Sequence, residues 1–210
     1  MPKLLVALTF LLSMTSCLIY EQEITIRKDG SAHLFISYSI DTATLDTLTD
    51  LEVAMSELEK SNKKSSQLRY FDETLIKAHL NSFKGVNTKL VRVFPTGDRT
   101  ATVLRVEVDN LRKSLNDGLI PYMTLQPKNG NWLFSCSTPF QSDKKLSAKA
   151  IQRLNSLNIK IKISTPGDII SSSAKNFSKR KVTWLYAPTK EHKASQIPSA
   201  FHVEYKSSSK

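Results

Sequence analysis

Hydrophobic and polar positions alternate along three pairs of short segments, and a turn sequence joins the members of each pair. The pairs are residues 19–27 with 32–40, 86–94 with 100–108, and 122–126 with 132–136. This alternation places the apolar side chains of a strand on one face. Asp29-Gly30 and Asn129-Gly130 stand between the first and third pairs, and such dipeptides are the strongest local signal for a hairpin. The pattern predicts three β-hairpins.

Elsewhere apolar residues recur at spacings of three and four, which predicts amphipathic helices. One helix follows Asp41 or Thr44 as N-cap and carries the apolar series Leu45, Leu48, Leu51, Met55 and Leu58. Further helices are expected from Asp72 to Gly85, after Asn110, and from Ser147. Additional strands are predicted at residues 157–163, 182–186 and 201–205.

The order of these elements indicates the fold class. Hairpins with helices between them, without a regular strand–helix–strand alternation, favour an α+β fold. We expect a mostly antiparallel sheet built from hairpins, with about three to four helices packed on it. The chain has 210 residues and is 40% hydrophobic, enough for one core. Residues 17–210 are therefore predicted to form a single soluble domain.

Residues 1–16 have the three parts of an export signal. Lys3 supplies the positive start, residues 4–12 are apolar, and small residues lead to Cys17. The apolar run of about nine residues is about half the length that a helix needs to cross a bilayer. The segment therefore favours a cleaved signal over a permanent span.

The end of this segment resembles a bacterial lipoprotein signal. Thr15 and Ser16 precede Cys17 as small residues do in a lipobox, and Met14 stands where Leu is usual. The resemblance implies lipidation of the Cys17 thiol, cleavage before it, and acylation of the new amino terminus. Because Leu18 follows the cysteine, family sorting implies an outer-membrane anchor facing the periplasm if the host has two membranes. The alternative is an ordinary cleaved signal in which the cysteine has no role.

The charge of the chain is strongly positive, with 30 Lys and Arg against 19 Asp and Glu and a net charge of +11. Such an excess favours anionic partners, although a solvated basic surface would give the same count. The most concentrated group is Lys175, Lys179, Arg180 and Lys181, which we predict as a contact for anionic lipid or glycan. A second group is Lys63, Lys64 and Arg69. Nucleic acid fits the charge but not an export signal.

Catalytic and metal-binding motifs are not evident. The four histidines have no ligand spacing, and there is neither a Gly-x-Ser-x-Gly elbow nor a phosphate-binding glycine loop. Once Cys17 is lipidated, Cys136 has no partner for a disulfide, and its apolar surroundings favour an unreactive thiol. We therefore expect a non-enzymatic protein without a metal or cofactor.

Two passages carry a further resemblance. The first is the turn at residues 27–31, Arg-Lys-Asp-Gly-Ser, which is followed by an alternating strand. The second is residues 161–174, in which Pro166-Gly167 predicts a turn between strands, followed by Lys-Val-Thr-Trp at 181–184, where Trp184 is predicted to be a core anchor. Together they resemble the mycobacterial LppM-like lipoproteins and related bacterial families of unassigned function. The resemblance implies a non-enzymatic domain facing the envelope, which binds lipid or glycolipid, and transfers no site residue. Some relatives have a hydrophobic carboxyl-terminal span, whereas residues 206–210 of this sequence are polar.

The expected function is accordingly that of a membrane-anchored envelope lipoprotein, a binding or structural module for lipid, glycolipid or another envelope component. The first alternative is an assembly factor that holds another envelope protein through sheet edges or amphipathic helices. The second is an envelope hydrolase, which would require acid and base residues clustered in a pocket.

Overall fold

The computed structural model describes residues 18–46, 68–137, 158–175, 177–186 and 200–207. The strands of this part are β1 (Ile19–Ile26), β2 (Ala32–Asp41), β3 (Val86–Thr96), β4 (Arg99–Val108), β5 (Met123–Lys128), β6 (Asn131–Ser137), β7 (Asn158–Ser164), β8 (Ile169–Ser172), β9 (Lys181–Tyr186) and β10 (Ala200–Lys206). Its helices are a 3-10 helix (Leu68–Phe71), α1 (Glu73–Asn81) and α2 (Leu111–Asn116), and residues 42–46 are also helical.

The strands form two sheets. The larger has six strands in the order β3-β4-β2-β1-β7-β9, and the smaller has four in the order β5-β6-β10-β8. Neighbouring strands are antiparallel except β1 and β7, which run parallel in register from Ile19 opposite Asn158 to Thr25 opposite Ser164. Chain segments far apart in sequence therefore lie side by side at the centre of the larger sheet.

The core lies between the two sheets and continues under the helices. Alternate residues of β1 and β7, such as Ile24 and Ile163, are fully buried on the inner face of the larger sheet. On the same face, Gln22 Nε2 lies 3.7 Å from Met123 Sδ of the smaller sheet. The 3-10 helix packs on β2 at the same inner face, because the rings of Tyr38 and Phe71 meet edge to face with their centroids 5.5 Å apart. One inner face of the larger sheet thus supports both the second sheet and the helices.

The three predicted hairpins are confirmed, each with the expected strands paired. In the third, Asn129 and Gly130 both have positive φ angles, 50° and 79°, as a two-residue type I′ turn requires. Three of the four predicted helix starts, at Asp72, Asn110 and Asp41, are confirmed as well. The carboxylate of Asp72 accepts from the amides of Thr74 and Leu75, and the side chains of Asn110 and Asp41 cap their helices in the same way.

The predicted fold class is wrong. The described chain is mostly β, with two sheets and short helices, and not an α+β fold with three to four helices packed on one sheet. The physical reason is that the hydrophobic periodicity of a segment identifies it as a strand but does not identify the strand with which it pairs. The sequence pattern predicts a single, mostly antiparallel sheet, whereas β7 and β9 join the first sheet and β8 and β10 join the second. The helix predicted from Ser147, and most of the one predicted after Asp41, lie outside the described residues.

The predicted turn at Pro166-Gly167 connects β7 to β8, and Gly167 is required there for a steric reason. A Cβ atom at this position would lie 2.1 Å from the carbonyl oxygen of Lys206 in β10. The amide of Lys206 also donates to the carbonyl of Asp168 at 2.9 Å. The turn is therefore held against the last strand of the other sheet, and a side chain at Gly167 would force the two apart.

No helix in the described ranges is long and apolar enough to cross a membrane.

The outer face of the larger sheet carries a line of paired charges. The carboxylate of Glu21 on β1 lies 3.1 Å from Lys160 Nζ and 3.0 Å from Lys162 Nζ, both on β7. Hydrogen bonds from Lys162 and Lys160 lower the pKa of Glu21 below its ordinary value of 4.5. These ion pairs therefore connect two parallel strands that are far apart in the sequence.

We expect the Glu21→Gln variant to lose less stability than the unchanged protein when the pH is lowered from neutrality into the acid range. Because the folded-state pKa of Glu21 is lowered, its contribution is present above pH 4.5 and disappears as the pH falls through the folded value. Glu21→Gln should therefore be less stable than the unchanged protein near neutrality, and the difference should shrink as the pH falls below 4.5. Urea denaturation across this range measures both curves, and parallel curves would contradict the assignment.

Candidate functional site

The predicted basic group lies in the loop between β8 and β9. All four side chains, Lys175, Lys179, Arg180 and Lys181, are exposed. The loop is fixed by its backbone, because the amide of Ser178 donates to the Lys181 carbonyl at 2.9 Å. The amide of Ile169 similarly donates to the Lys179 carbonyl at 2.8 Å. We call these four residues, the last of which begins β9, the basic loop, and its backbone is fixed where it passes from one sheet to the other.

Asp168 neutralises part of the basic loop. Its carboxylate lies 3.4 Å from Lys179 Nζ and accepts a hydrogen bond from Arg180 Nε at 3.2 Å. Partial burial alone would raise the pKa of Asp168, but the Arg180 hydrogen bond and the Lys179 charge together lower it. Four cations less one carboxylate leave three positive charges, and Lys175 and Lys181 are the two cations outside this pairing.

Two exposed apolar side chains accompany the basic loop, and sequence reasoning missed them. Phe177 is 44% exposed and forms an isolated bridge with Val182, and Ile170 on β8 is 46% exposed. A large apolar residue among Lys, Asn, Ser and Arg, as at Phe177, is the sequence signal that could have indicated this feature. The loop therefore offers apolar contact as well as charge.

The basic loop lies far from the expected lipid anchor. Lys181 begins β9 and pairs with Ser164 at the end of β7, which in turn pairs with Thr25 near the end of β1. β1 begins at Ile19, two residues after Cys17. Six residues at about 3.3 Å each separate Ile19 from Thr25, so the two ends of the sheet are about 20 Å apart.

A second feature is an open depression of about 500 Å³ on the outer face of the larger sheet, lined in part by Phe35 and Arg105. At its edge, the carboxylate of Glu107 lies 3.0 Å from Lys89 Nζ and 3.6 Å from His33 Nε2. The hydrogen bond from Lys89 lowers the pKa of Glu107, so this carboxylate is ionised and paired near neutral pH. A carboxyl group that acts as a general acid needs a raised pKa, whereas the pKa of Glu107 is lowered.

Cys136 agrees with the prediction of an unreactive thiol, although it is half-buried rather than fully buried. Desolvation raises its pKa to about 11, which keeps the sulfur protonated near neutrality. Across the described residues, no three His, Cys, Asp or Glu side chains are placed to hold a metal ion together.

Several predicted site residues cannot be placed. Cys17 and the signal at residues 1–16 lie outside the described residues, as do Lys63 and Lys64. The side chain of Arg69 is also outside the described part.

Comparison with known proteins gives a match at the level of structure. No protein-family model matches the chain, and no curated protein matches it in sequence. The solved structure of the folded domain of Mycobacterium tuberculosis LppM, determined by NMR, is similar with a TM-score of 0.52. The match covers 91% of each chain at 11% sequence identity. The fold is LppM-like. This confirms the resemblance drawn from the sequence, and at this identity the likeness concerns the fold alone.

One of the two passages behind that resemblance lies at the junction of the two sheets in the LppM-like domain. Trp184 on β9 is 6% exposed, and its ring meets Phe201 of β10 edge to face at 5.6 Å. Its indole N–H donates to Ser173 Oγ at 3.0 Å, and the same oxygen accepts from the amide of His202 at 3.0 Å. Ser173 therefore links a strand of each sheet, and the predicted role of Trp184 as a core anchor is confirmed.

Proposed function

We propose that this chain is a cell-envelope lipoprotein, anchored through Cys17, whose LppM-like domain is a non-enzymatic binding module. Its ligand is an anionic envelope component, a lipid headgroup or a glycan, and the basic loop is the surface that recognises it. The observation that carries the proposal is the concentration of three net positive charges in one structured loop between the two sheets. In a host with two membranes, the anchor lies in the outer membrane and the domain faces the periplasm.

Electrostatics and burial support the basic loop as the contact surface. Each Lys or Arg close to an anionic surface contributes about 1 kcal/mol, and salt screens this attraction. Exposed Phe177 and Ile170 add apolar area beside these charges. A combination of cations and exposed apolar side chains suits a ligand with an anionic group next to a less polar region, such as a glycolipid headgroup.

The position of the basic loop indicates which side of the domain the ligand approaches. The loop lies about 20 Å along the strands from the start of β1, next to the proposed anchor. An anchored domain standing on the first residues of β1 therefore presents the loop away from its own membrane. The ligand is accordingly a component that reaches the distal end of the domain.

We expect the triple variant Lys175→Gln, Lys179→Gln, Lys181→Gln to lose roughly 100-fold in affinity for anionic surfaces, at about 1 kcal/mol for each charge. Arg180 is retained so that its hydrogen bond to Asp168 remains. Binding of residues 18–210 is measured to dextran sulfate and to phosphatidylcholine vesicles with and without phosphatidylglycerol, at low and high salt. Stronger binding to one of the two probes distinguishes a glycan from a lipid headgroup as the source of the anionic group.

The matched control changes three exposed lysines outside the loop, Lys77, Lys84 and Lys113, to Gln. Its net charge equals that of the first triple variant, so a general electrostatic effect would weaken both equally. The proposal requires a much larger loss for the loop variant, which rising salt removes. Equal losses, or binding insensitive to salt, would contradict it.

A further inference from the structure

Three large exposed apolar side chains lie at one end of the outer face of the larger sheet, spread across its width on β3, β1 and β9. They are Ile19, Phe94 and Leu185, with 44%, 42% and 65% of their surface exposed. Register places the first two in a single row across the strands, in the order Phe94, Ala101, Ser39, Ile19. Leu185 lies in the adjoining row, where it pairs with Lys160, which pairs with Glu21. We call Ile19, Phe94 and Leu185 the proximal apolar row.

This row lies at the end of the sheet where the chain leaves Cys17. β1 begins at Ile19, and two residues span at most about 7 Å. Leu18 is itself fixed to the sheet, because its carbonyl accepts a hydrogen bond from the amide of Asn158 at 2.9 Å. The fold therefore follows Cys17 without a flexible linker, and a lipid on Cys17 would hold this end of the sheet at the membrane surface.

The charges behind the row suit the same location. Arg92 on β3 and Lys160 on β7 lie in the row that also holds Leu185, two residues further along the strands than the row of Ile19 and Phe94, and Lys160 is paired there with Glu21. Long cationic side chains at this distance reach phosphate groups at the headgroup level while apolar side chains beside them enter the acyl boundary. This end of the outer face therefore carries exposed apolar side chains with cations beside them, the two kinds of contact that a protein surface uses at the interface of a bilayer.

We propose that the proximal apolar row inserts into the interface of the bilayer that carries the Cys17 lipid. This inference rests on the proposed anchoring through Cys17 and adds an orientation to it. The end of the larger sheet that bears Ile19, Phe94 and Leu185 contacts the membrane. The basic loop, at the other end of the strands, is held away from it. The lipid supplies attachment and the row restricts rotation of the domain about that attachment.

The test places a fluorophore at two positions on the same strand and the same face, Leu185 and Lys181. Each is changed to Cys in a Cys136→Ala background of the lipidated chain, labelled, and reconstituted in phosphatidylcholine vesicles that contain spin-labelled lipid. The two sites are four residues, about 13 Å, apart along β9. We expect severalfold stronger quenching at position 185 than at 181. Because phosphatidylcholine has no net charge, the basic loop does not bring about this result.

The outcomes separate the inference from the anchor. If mass spectrometry shows the lipid on Cys17 but quenching at 185 and 181 is equal or absent, the inserted row is wrong while the anchor stands. If position 185 instead crosslinks to a protein or to a second copy of the chain, the occupant of the row is not the bilayer and the inference is again overturned. A mature protein without a lipid on Cys17 would overturn both the proposed anchor and the inserted row.

Discussion

We expect replacement of Cys17 with Ala to abolish acylation of the protein and to block maturation at this site. In the proposed modification the Cys17 thiol is the nucleophile that forms the thioether to the lipid, and residues 13–16 contain no other thiol. Because several acyl chains give firm attachment where one is marginal, loss of the whole modification removes anchoring. In cells fed an alkyne analogue of palmitate, we expect labelling of the unchanged protein and none of Cys17→Ala.

The chain offers its own control for this experiment. Cys136 is the other cysteine, and its half-buried, protonated thiol should play no part in lipidation. Cys136→Ala should therefore retain full labelling. Labelling that persists in Cys17→Ala would contradict the lipoprotein assignment. Processing of Cys17→Ala identical to that of the unchanged protein would support the alternative of an ordinary signal.

Replacing Trp184 with Ala should destabilise the domain by about 3 to 5 kcal/mol. The side chain is 6% exposed, packs on Phe201 of the other sheet, and donates its indole N–H to Ser173. Its removal leaves a cavity between the sheets and takes away one of the bonds through which Ser173 joins them. A loss of this size is a large fraction of the stability of an ordinary domain. Urea denaturation of residues 18–210, followed by circular dichroism, measures it.

The matched control is the other tryptophan of the chain. Trp132 on β6 is half-buried, with the Arg112 guanidinium 5.9 Å from the centre of its ring. Since less of its surface is removed from water, Trp132→Ala should cost clearly less than Trp184→Ala. Equal losses of stability in the two variants would contradict the role of Trp184 as the anchor between the sheets. The variant Ser173→Ala should give a smaller loss of the same origin, about 1 to 3 kcal/mol.

Local features of the fold could be predicted from the sequence, because each is determined by residues close together in the chain. The Asn129-Gly130 turn and the Asp72 cap are examples, since a dipeptide and a single side chain specify them. The division into two sheets could not be predicted in this way. The parallel pairing of β1 with β7 joins Ile19 to Asn158, and no local pattern records such a partner.

The same limit applies to the candidate sites. The basic loop is contiguous in sequence, and for that reason it was recognised before the structure. Its partial neutralisation was not, since Asp168 reaches Arg180 only after the chain has turned through β8. The proximal apolar row was also missed. Phe94 and Ile19 share a row only through the registers of β3, β4, β2 and β1, and Leu185 reaches the adjoining row through β7.

The two ends of the larger sheet of the LppM-like domain carry different kinds of exposed side chain. The proximal apolar row includes Ile19, which follows Cys17 by two residues in the sequence, and the basic loop lies about 20 Å further along the strands. If both proposals hold, the domain stands on its membrane and offers positive charge to an anionic component beyond it. Charge in the loop then determines affinity for the ligand, while the row determines orientation, and the two can be changed independently.

The mass of the mature amino terminus, measured on protein extracted from membranes, tests the central claim most directly. The account predicts an amino-terminal peptide that begins at Cys17 and carries a diacylglyceryl group on sulfur, with a further acyl chain on the new amino group. A peptide that begins elsewhere, or one that contains Cys17 as an unmodified thiol, would contradict it.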